Sequence, residues 1–280
     1  AAPRRDTVWC SSRIVSNACA RVNLAVHNGN ESPFTRSLGK SPAYNCHPAD
    51  ILGKKTLEDA EELLRTSLWG QALTAAEMSR ALAGTRERTY AAGAFICMKG
   101  EPVDSWMGII DGLGKMASHW TTGKTTSLTG IGSGGWFGEG SLLKSEPRRY
   151  DVMALRETRV ALMGRNTFLW LMDHSIPFNR FLIVQLNERL GQFIGMIENE
   201  RLLDPDARVA RCLAGLFNPV LYPGTSRLLQ ISQEELGYLA GVSRQRANQA
   251  LRTLEDAGLV RSEYGGIDIL DLDGLGRFGE

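Results

Sequence analysis

The sequence predicts an α+β chain: a glycine-punctuated β-roll, then one long helix, then a helix-turn-helix closed by a hairpin wing. Three observations carry this prediction. Glycine fills 12 of the 51 positions 91–141 against 30 in all 280, about a twofold enrichment that marks tight turns between short strands. Residues 175–203 then switch to a helical period with an apolar seam. Residues 231–270 carry two helix caps around one short glycine turn, followed by a second glycine turn between apolar runs.

Composition bounds what the chain does. With 43% hydrophobic and 22% charged residues, wholesale disorder is excluded, and 280 residues suggest about two domains. The formal net charge is +1, so any nucleic-acid surface must be a local patch. The longest apolar runs, such as Phe181-Leu182-Ile183-Val184, fall far short of the roughly 20 residues of a membrane span, so no membrane partner is expected. Arg4-Arg5 is not followed by the apolar stretch of an export signal, which makes the cytoplasm the expected compartment. The chain opens on Ala1 and not on Met, as a fragment would. Cys10, Cys19, Cys46, Cys97 and Cys212 are odd in number and scattered, against a disulfide framework. The gaps among Cys10, Cys19 and Cys46-His47 match no common zinc or iron–sulfur spacing, so no metal is expected.

The elements follow in order. Residues 1–55 have no sustained period and many Ser, Asn, Arg and Pro, and read as a disordered or poorly ordered extension. The roll is expected over 56–174. Thr56 with Asp59 resembles a capping pair ahead of Leu57, Ala60, Leu63 and Leu64, and Thr74 with Glu77 starts a second short helix through Leu82. Strands are expected at Phe95–Met98, Trp106–Ile110, Lys115–Trp120, Thr125–Ile131, Val152–Leu155 and Arg159–Met163. In the helix 175–203, Ile183, Leu186, Leu190, Phe193 and Ile197 are spaced 3, 4, 3, 4, the seam of a helix that pairs with another helix, here a homodimer partner. The bland alternative is a long core helix of one subunit.

Asp204-Pro205 breaks that helix and opens a region 204–280 with another apolar-periodic helix over 206–217. Ser232 and Glu235 form a capping box, and Gly241 sits where a left-handed residue ends the helix. Ser243 caps the next helix. Ala247, Leu251 and Leu254 give it a buried stripe, with Arg244, Gln245, Asn248, Gln249 and Arg252 on the other side. Arg forks onto guanine, and Gln or Asn onto adenine, so these residue types suit base edges. The runs 259–261 and 267–270 flank Glu263-Tyr264-Gly265-Gly266 as a wing. From Asp206 to Glu280 there are eight Arg against ten Asp and Glu, so the DNA side must rest on a cluster: Arg244, Arg246, Arg252 and Arg261. The alternative is a solvated polar face on an ordinary helical hairpin.

Two stretches resemble the Crp/Fnr family. One is Ser243-Arg244-Gln245-Arg246-Ala247-Asn248-Gln249 with the exit Leu254-Glu255-Asp256-Ala257-Gly258-Leu259. The other runs from Gly93, Gly100-Glu101 and Gly112 through Gly123-Lys124 and Trp136-Phe137-Gly138-Glu139 to Pro147-Arg148. The resemblance covers roughly residues 56–275. It implies a cyclic-nucleotide-binding-like effector roll, a dimerisation helix and a winged helix-turn-helix. It implies DNA contacts from Ser243, Arg244, Gln245, Arg246, Asn248, Gln249 and Arg252, and an effector pocket at Gly138, Glu139, Arg148 and Arg149. In members that bind a cyclic nucleotide, a Glu at the place of Glu139 holds the ribose hydroxyl and an Arg at the place of Arg148 pairs with the phosphate. The chain departs from that pattern. Arg149, Tyr150 and Asp151 stand where small or hydroxyl residues are usual, and the helix positions that meet adenine fall on apolar Phe193 and Ile194. Cyclic nucleotide binding is therefore not expected, and an internal Glu139–Arg148 ion pair is the expected replacement. The family's N-terminal iron–sulfur cysteine cluster is not visible.

What the resemblance implies is a homodimeric transcription regulator acting on double-stranded promoter DNA, with RNA polymerase as a partner and a small-molecule effector of unspecified chemistry. No catalytic residues are expected, because no nucleophile elbow, zinc-protease motif or Walker A sequence occurs. The rivals are a cyclic-nucleotide-binding module that controls a partner protein, and an enzyme on a cupin-type roll. The latter would need clustered His, whereas His27, His47, His119 and His174 are far apart.

Overall fold

A computed structural model describes residues 59–119 and 125–279. Thr56, the N-terminal extension and Cys10, Cys19, Cys46 and His47 lie outside the described residues. The first described helix, α1 (Ala60–Thr66), is capped by Asp59, which accepts from Glu62 N at 2.8 Å. A 3-10 turn (Gly70–Ala72) leads to α2 (Ala75–Ala83), the expected short helix, which Thr74 and Glu77 start with a capping box.

Eight strands build the roll as two antiparallel sheets. One has the order β1 (Thr85–Tyr90), β8 (Thr158–Gly164), β3 (Ser105–Asp111), β6 (Trp136–Phe137). The other has β2 (Phe95–Cys97), β7 (Asp151–Ala154), β4 (Leu113–His119), β5 (Thr125–Gly132). The six expected strands are all present within one or two residues. The two that sequence reading missed have physical reasons. β1, with the sequence TRERTY, is an edge strand whose middle is exposed, so it carries charges instead of an apolar alternation. β6 is only two residues long.

Strand β3 explains how the roll holds its helices. Met107 and Ile109 point into the roll interior with Ile96, Ile131, Phe137, Val160 and Leu162. Trp106 and Ile110 point the other way, into a second core built with Leu63, Leu64, Trp69, Phe168 and Phe178. Alternation at period two thus buries both faces of one sheet. Gly108 shares the outer face, and a Cβ there would come within 2.7 Å of the Trp136 ring and 2.9 Å of Leu63.

After β6 comes α3 (Glu139–Lys144), and after β8 come α4 (Arg165–His174) and the long α5 (Ile176–Leu202). The start of α5 belongs to the roll, since Phe178, Phe181 and Leu182 are buried in the outer core. Its other face is exposed at Ile183, Leu186, Leu190, Ile194 and Ile197. Phe193 is a correction to the expected seam, because it packs against the roll interior beside Leu128 and Tyr150. At about 100° per residue, Phe193 lies roughly 60° from the inward Phe178 line and Ile194 roughly 40° from Leu190. Phe193 is nevertheless only about 20° from Leu186, and Ile197 only about 20° from Leu190, so the packing of Phe193 on the roll and not a drift of the spacing takes it out of the seam.

The last region has α6 (Pro205–Gly215), α7 (Gln233–Ala240), α8 (Arg244–Asp256) and a sheet β10 (Val260–Glu263), β11 (Gly266–Ile269), β9 (Leu228–Leu229). A closing helix, α9 (Leu272–Arg277), packs beside α6 and was not expected. This unit rests on the roll through named contacts. Arg156, between β7 and β8, pairs with Glu235 at 3.0 Å and also donates to the Gln230 carbonyl. Lys115 of β4 lies 4.4 Å from the Tyr238 ring centre. A Cβ on Gly130 would meet Leu239 at 3.0 Å, so the glycine lets α7 approach β5. Tyr222 shares its hydroxyl with Thr129 and accepts from Gln192 of α5.

Two substitutions separate core from cap. Trp106→Ala is expected to lower the unfolding free energy by about 3–5 kcal/mol, as for a fully buried large aromatic. Ser232→Ala should cost about 1 kcal/mol. Urea unfolding of both variants beside the parent checks the ratio.

Candidate nucleic-acid interface and effector cradle

The helix pair α7–α8 is set by its caps. Ser232 Oγ accepts from Glu235 N at 3.2 Å while Glu235 Oε2 accepts from Ser232 N at 2.7 Å. Gly241 takes φ 66° and turns the chain, and Ser243 Oγ accepts from Arg246 N at 3.2 Å to start α8. Ala247, Ala250, Leu251 and Leu254 bury one stripe of α8. Gln245, Gln249 and Arg252, at i, i+4 and i+7, form the exposed opposite stripe, with Arg244 exposed in the first turn. Among the described residues neither Arg244 nor Arg252 makes an ion pair. Three adaptable hydrogen-bonding side chains therefore project from one face of the helix, with Arg244 exposed at its start.

The other expected contacts stand differently. Ser243 holds the cap with its hydroxyl. Asn248 is half-buried on the flank. Arg246 turns to α6 and pairs with Asp206 at 2.5 Å. On the wing, Arg261 pairs with Asp268 at 2.9 Å and Glu263 at 2.8 Å, so the expected four-arginine cluster keeps two unpaired members. Tyr264, at the wing tip, is fully exposed beside Gly265 at φ 82°.

The cradle is assembled from β6, α3 and the loop before β7. Gly138 adopts φ 95°, and a Cβ on it would meet the Arg148 guanidinium at 3.1 Å. Glu139 and Arg148 are both buried, but they do not pair, which corrects the expected internal ion pair. Glu139 accepts from the Trp106 indole at 3.4 Å. Arg148 donates to the Ser105 carbonyl at 3.2 Å. The strands separate the two groups by giving each its own β3 partner. Arg149 is also corrected: it is exposed and forks onto Glu146 at 2.9 and 2.7 Å, outside the cradle. That fork, with Lys144, holds the Glu146 carboxyl down at about 2. Asp151 accepts from Lys99 N at 2.8 Å, on the far side of the loop.

Sequence reading missed what fills the middle. Burial drives the Tyr150 hydroxyl far above its ordinary value, among Glu139, Cys97, Arg189 and Arg148. From α5, Gln185 and Arg189 both donate to the Trp136 carbonyl at 3.3 Å, and Arg189 also reaches Gln192. The polar spacing Gln185, Arg189, Gln192 on an otherwise inward apolar face was the available signal. Burial raises the thiols of Cys97 to about 11 and Cys212 to about 12, so both stay protonated at neutral pH. Among the described residues no cluster of His, Cys, Asp or Glu is placed to hold a metal, and no helix is long and apolar enough to cross a membrane.

Comparison with known proteins bears on both sites. The family model described as "Cyclic nucleotide-binding domain" matches residues 87–175, and the one described as "Crp-like helix-turn-helix domain" matches 207–278. The chain belongs to the Crp/Fnr family of transcription regulators. It is 29% identical over 189 residues to the CRP-like cAMP-activated global transcriptional regulator of Mycobacterium tuberculosis, covering 66% of this chain and 84% of that one. It is 25% identical over 177 residues to the cAMP-activated global transcriptional regulator CRP of Haemophilus influenzae, covering 62% and 79%. The solved structure of FixK2 from Bradyrhizobium japonicum shares the fold, with TM-score 0.59, 18% identity and coverage of 70% and 98%.

Proposed function

We propose that this Crp/Fnr protein is a cytoplasmic homodimer that reads a two-fold promoter site with α8 and acts on transcription at RNA polymerase, without cyclic AMP as its switch and without catalysis. The observation that carries the reading is the exposed stripe Gln245, Gln249 and Arg252, with Arg244 in the first turn, on a helix whose opposite side is fully buried.

Dimerisation follows from α5. Its exposed residues Ile183, Leu186, Leu190, Ile194 and Ile197 make a continuous apolar line that a second copy would cover. The effector reading follows from the cradle. Each group that would meet a cyclic nucleotide already has an internal partner: Trp106 on Glu139, Ser105 on Arg148. Phe193 lies against the interior where a base would need polar contacts. A different small molecule remains compatible with the buried polar set of Arg148, Arg189 and Gln185.

Three measurements test these parts. Light scattering should give a dimer, and Leu190→Glu, which would bury an unpaired charge at a cost of several kcal/mol, should give a monomer. A monomeric parent protein would remove the dimer. Calorimetry with cyclic AMP at micromolar concentration should show no saturable heat, and saturable binding lost in Arg148→Ala would restore the nucleotide switch. Selection from random duplexes should return half-sites about one helical turn apart, each retaining one G·C pair read by Arg244. The family's founding pattern has Glu and Arg at the places of Gln245 and Gln249, so the other two read positions should shift towards A·T, by about 1–3 kcal/mol each. Recovery of the family's unaltered half-site would show that these glutamines do not read bases.

A further inference from the structure

We propose that Asp206 withholds Arg246 from the DNA backbone and so weakens sequence-independent binding. The inference rests on the reading of α8 as the recognition helix and concerns one ion pair at its entry. Arg246 is the third residue of α8, and Asp206 is the second residue of α6. Their side chains meet at 2.5 Å and are 27% and 22% exposed, so the pair stands at the open margin between two helix starts. Asp204 lies close behind it, and its carboxylate accepts from Asp206 N and Ala207 N.

The local fields favour this arrangement. A helix start carries partial positive charge, which suits Asp206 on α6 and disfavours a lone cation such as Arg246 on α8. The carboxylate offsets that cost. A guanidinium in the first turn of a recognition helix is otherwise a ready phosphate contact, and such contacts carry no sequence information. Arg244 and Arg252 are exposed and without ion pairs among the described residues, so they bring free charge to the DNA. Arg246 brings none, because Asp206 cancels it. If Arg246 swung to a phosphate, Asp206 would be left facing that phosphate with like charge and no partner. Binding to arbitrary sequence depends on phosphate neutralisation, and a genome offers a great excess of arbitrary sites. One withheld contact therefore reduces the competition from those sites.

The test measures anisotropy of a labelled random-sequence duplex of about 30 base pairs with the full chain, in KCl from about 50 to 200 mM. Asp206→Asn should steepen the plot of log affinity against log salt by about 0.9 for each recognition helix bound. Over that fourfold range the loss of affinity then grows by about 3.5-fold per helix. Arg246→Gln should keep the parent slope, and the double variant should return to it. An unchanged slope in Asp206→Asn overturns the proposal. So does a shallower slope in Arg246→Gln, which would mean the arginine already touches phosphate. A double variant as steep as Asp206→Asn also overturns it, because the effect would then come from the lost carboxylate alone. A parent protein that enriches no sequence in the selection from random duplexes removes the DNA reading itself, and is recognised before any variant is compared.

Discussion

Five aromatic rings fix the frame of this molecule. Trp69, Trp106, Trp136, Phe168 and Phe178 stack edge-on or tilted, with centres 4.3–5.6 Å apart. They come from the N-terminal helices, two strands of one sheet, α4 and the start of α5. Such pairs add to area burial through their preferred geometry, and a dense interior transmits position faithfully. Because Phe178 is seated there, the rotation of α5 is set. Gln185 and Arg189 then reach the Trp136 carbonyl, Phe193 meets the roll interior, and the Ile183–Ile197 line is left outward.

A second level of order is the seat of the winged unit on the roll. It combines one ion pair with a backbone acceptor (Arg156 to Glu235 and Gln230), a lysine over a tyrosine ring, a glycine that admits Leu239, and the Tyr222–Thr129–Gln192 triangle. Leu113 and Leu155 of the roll also enter the apolar core of the winged unit, and all of these contacts sit away from the exposed stripe of α8. The reading face is therefore free while its unit is docked.

Local signals in the sequence located most elements because they are local in physics. The helix start at Thr74, the capping box at Ser232, the left-handed Gly241 and the Ser243 cap are decided by residues three apart, and all four stand as expected. Helical facing was also legible over two turns. It failed at Phe193, which packs against the roll interior although it stands one heptad from the exposed Leu186. The side-chain partners were least legible. Nothing in the spacing of Glu139 and Arg148 says that β3 gives each a separate partner, nor that Arg149 leaves the cradle for Glu146. Likewise Arg246 and Arg261 looked like free charges until their partners came into place: Asp206 on a different helix, and Asp268 directly across the wing hairpin. The edge strand β1 escaped notice because exposed strands carry no apolar signature.

Glu235 carries two duties on two oxygens. Oε2 closes the cap of α7, and Oε1 receives Arg156 from the roll. The division matters for how the winged unit can move. At Glu235, separation from the roll breaks the bond to Oε1 and leaves the bond that starts the helix untouched. The arginine side chain, about one third exposed, passes to water at small cost when released. The start of α7 thus does not depend on the ion pair that ties it to the roll, so loss of that pair leaves the helix cap closed.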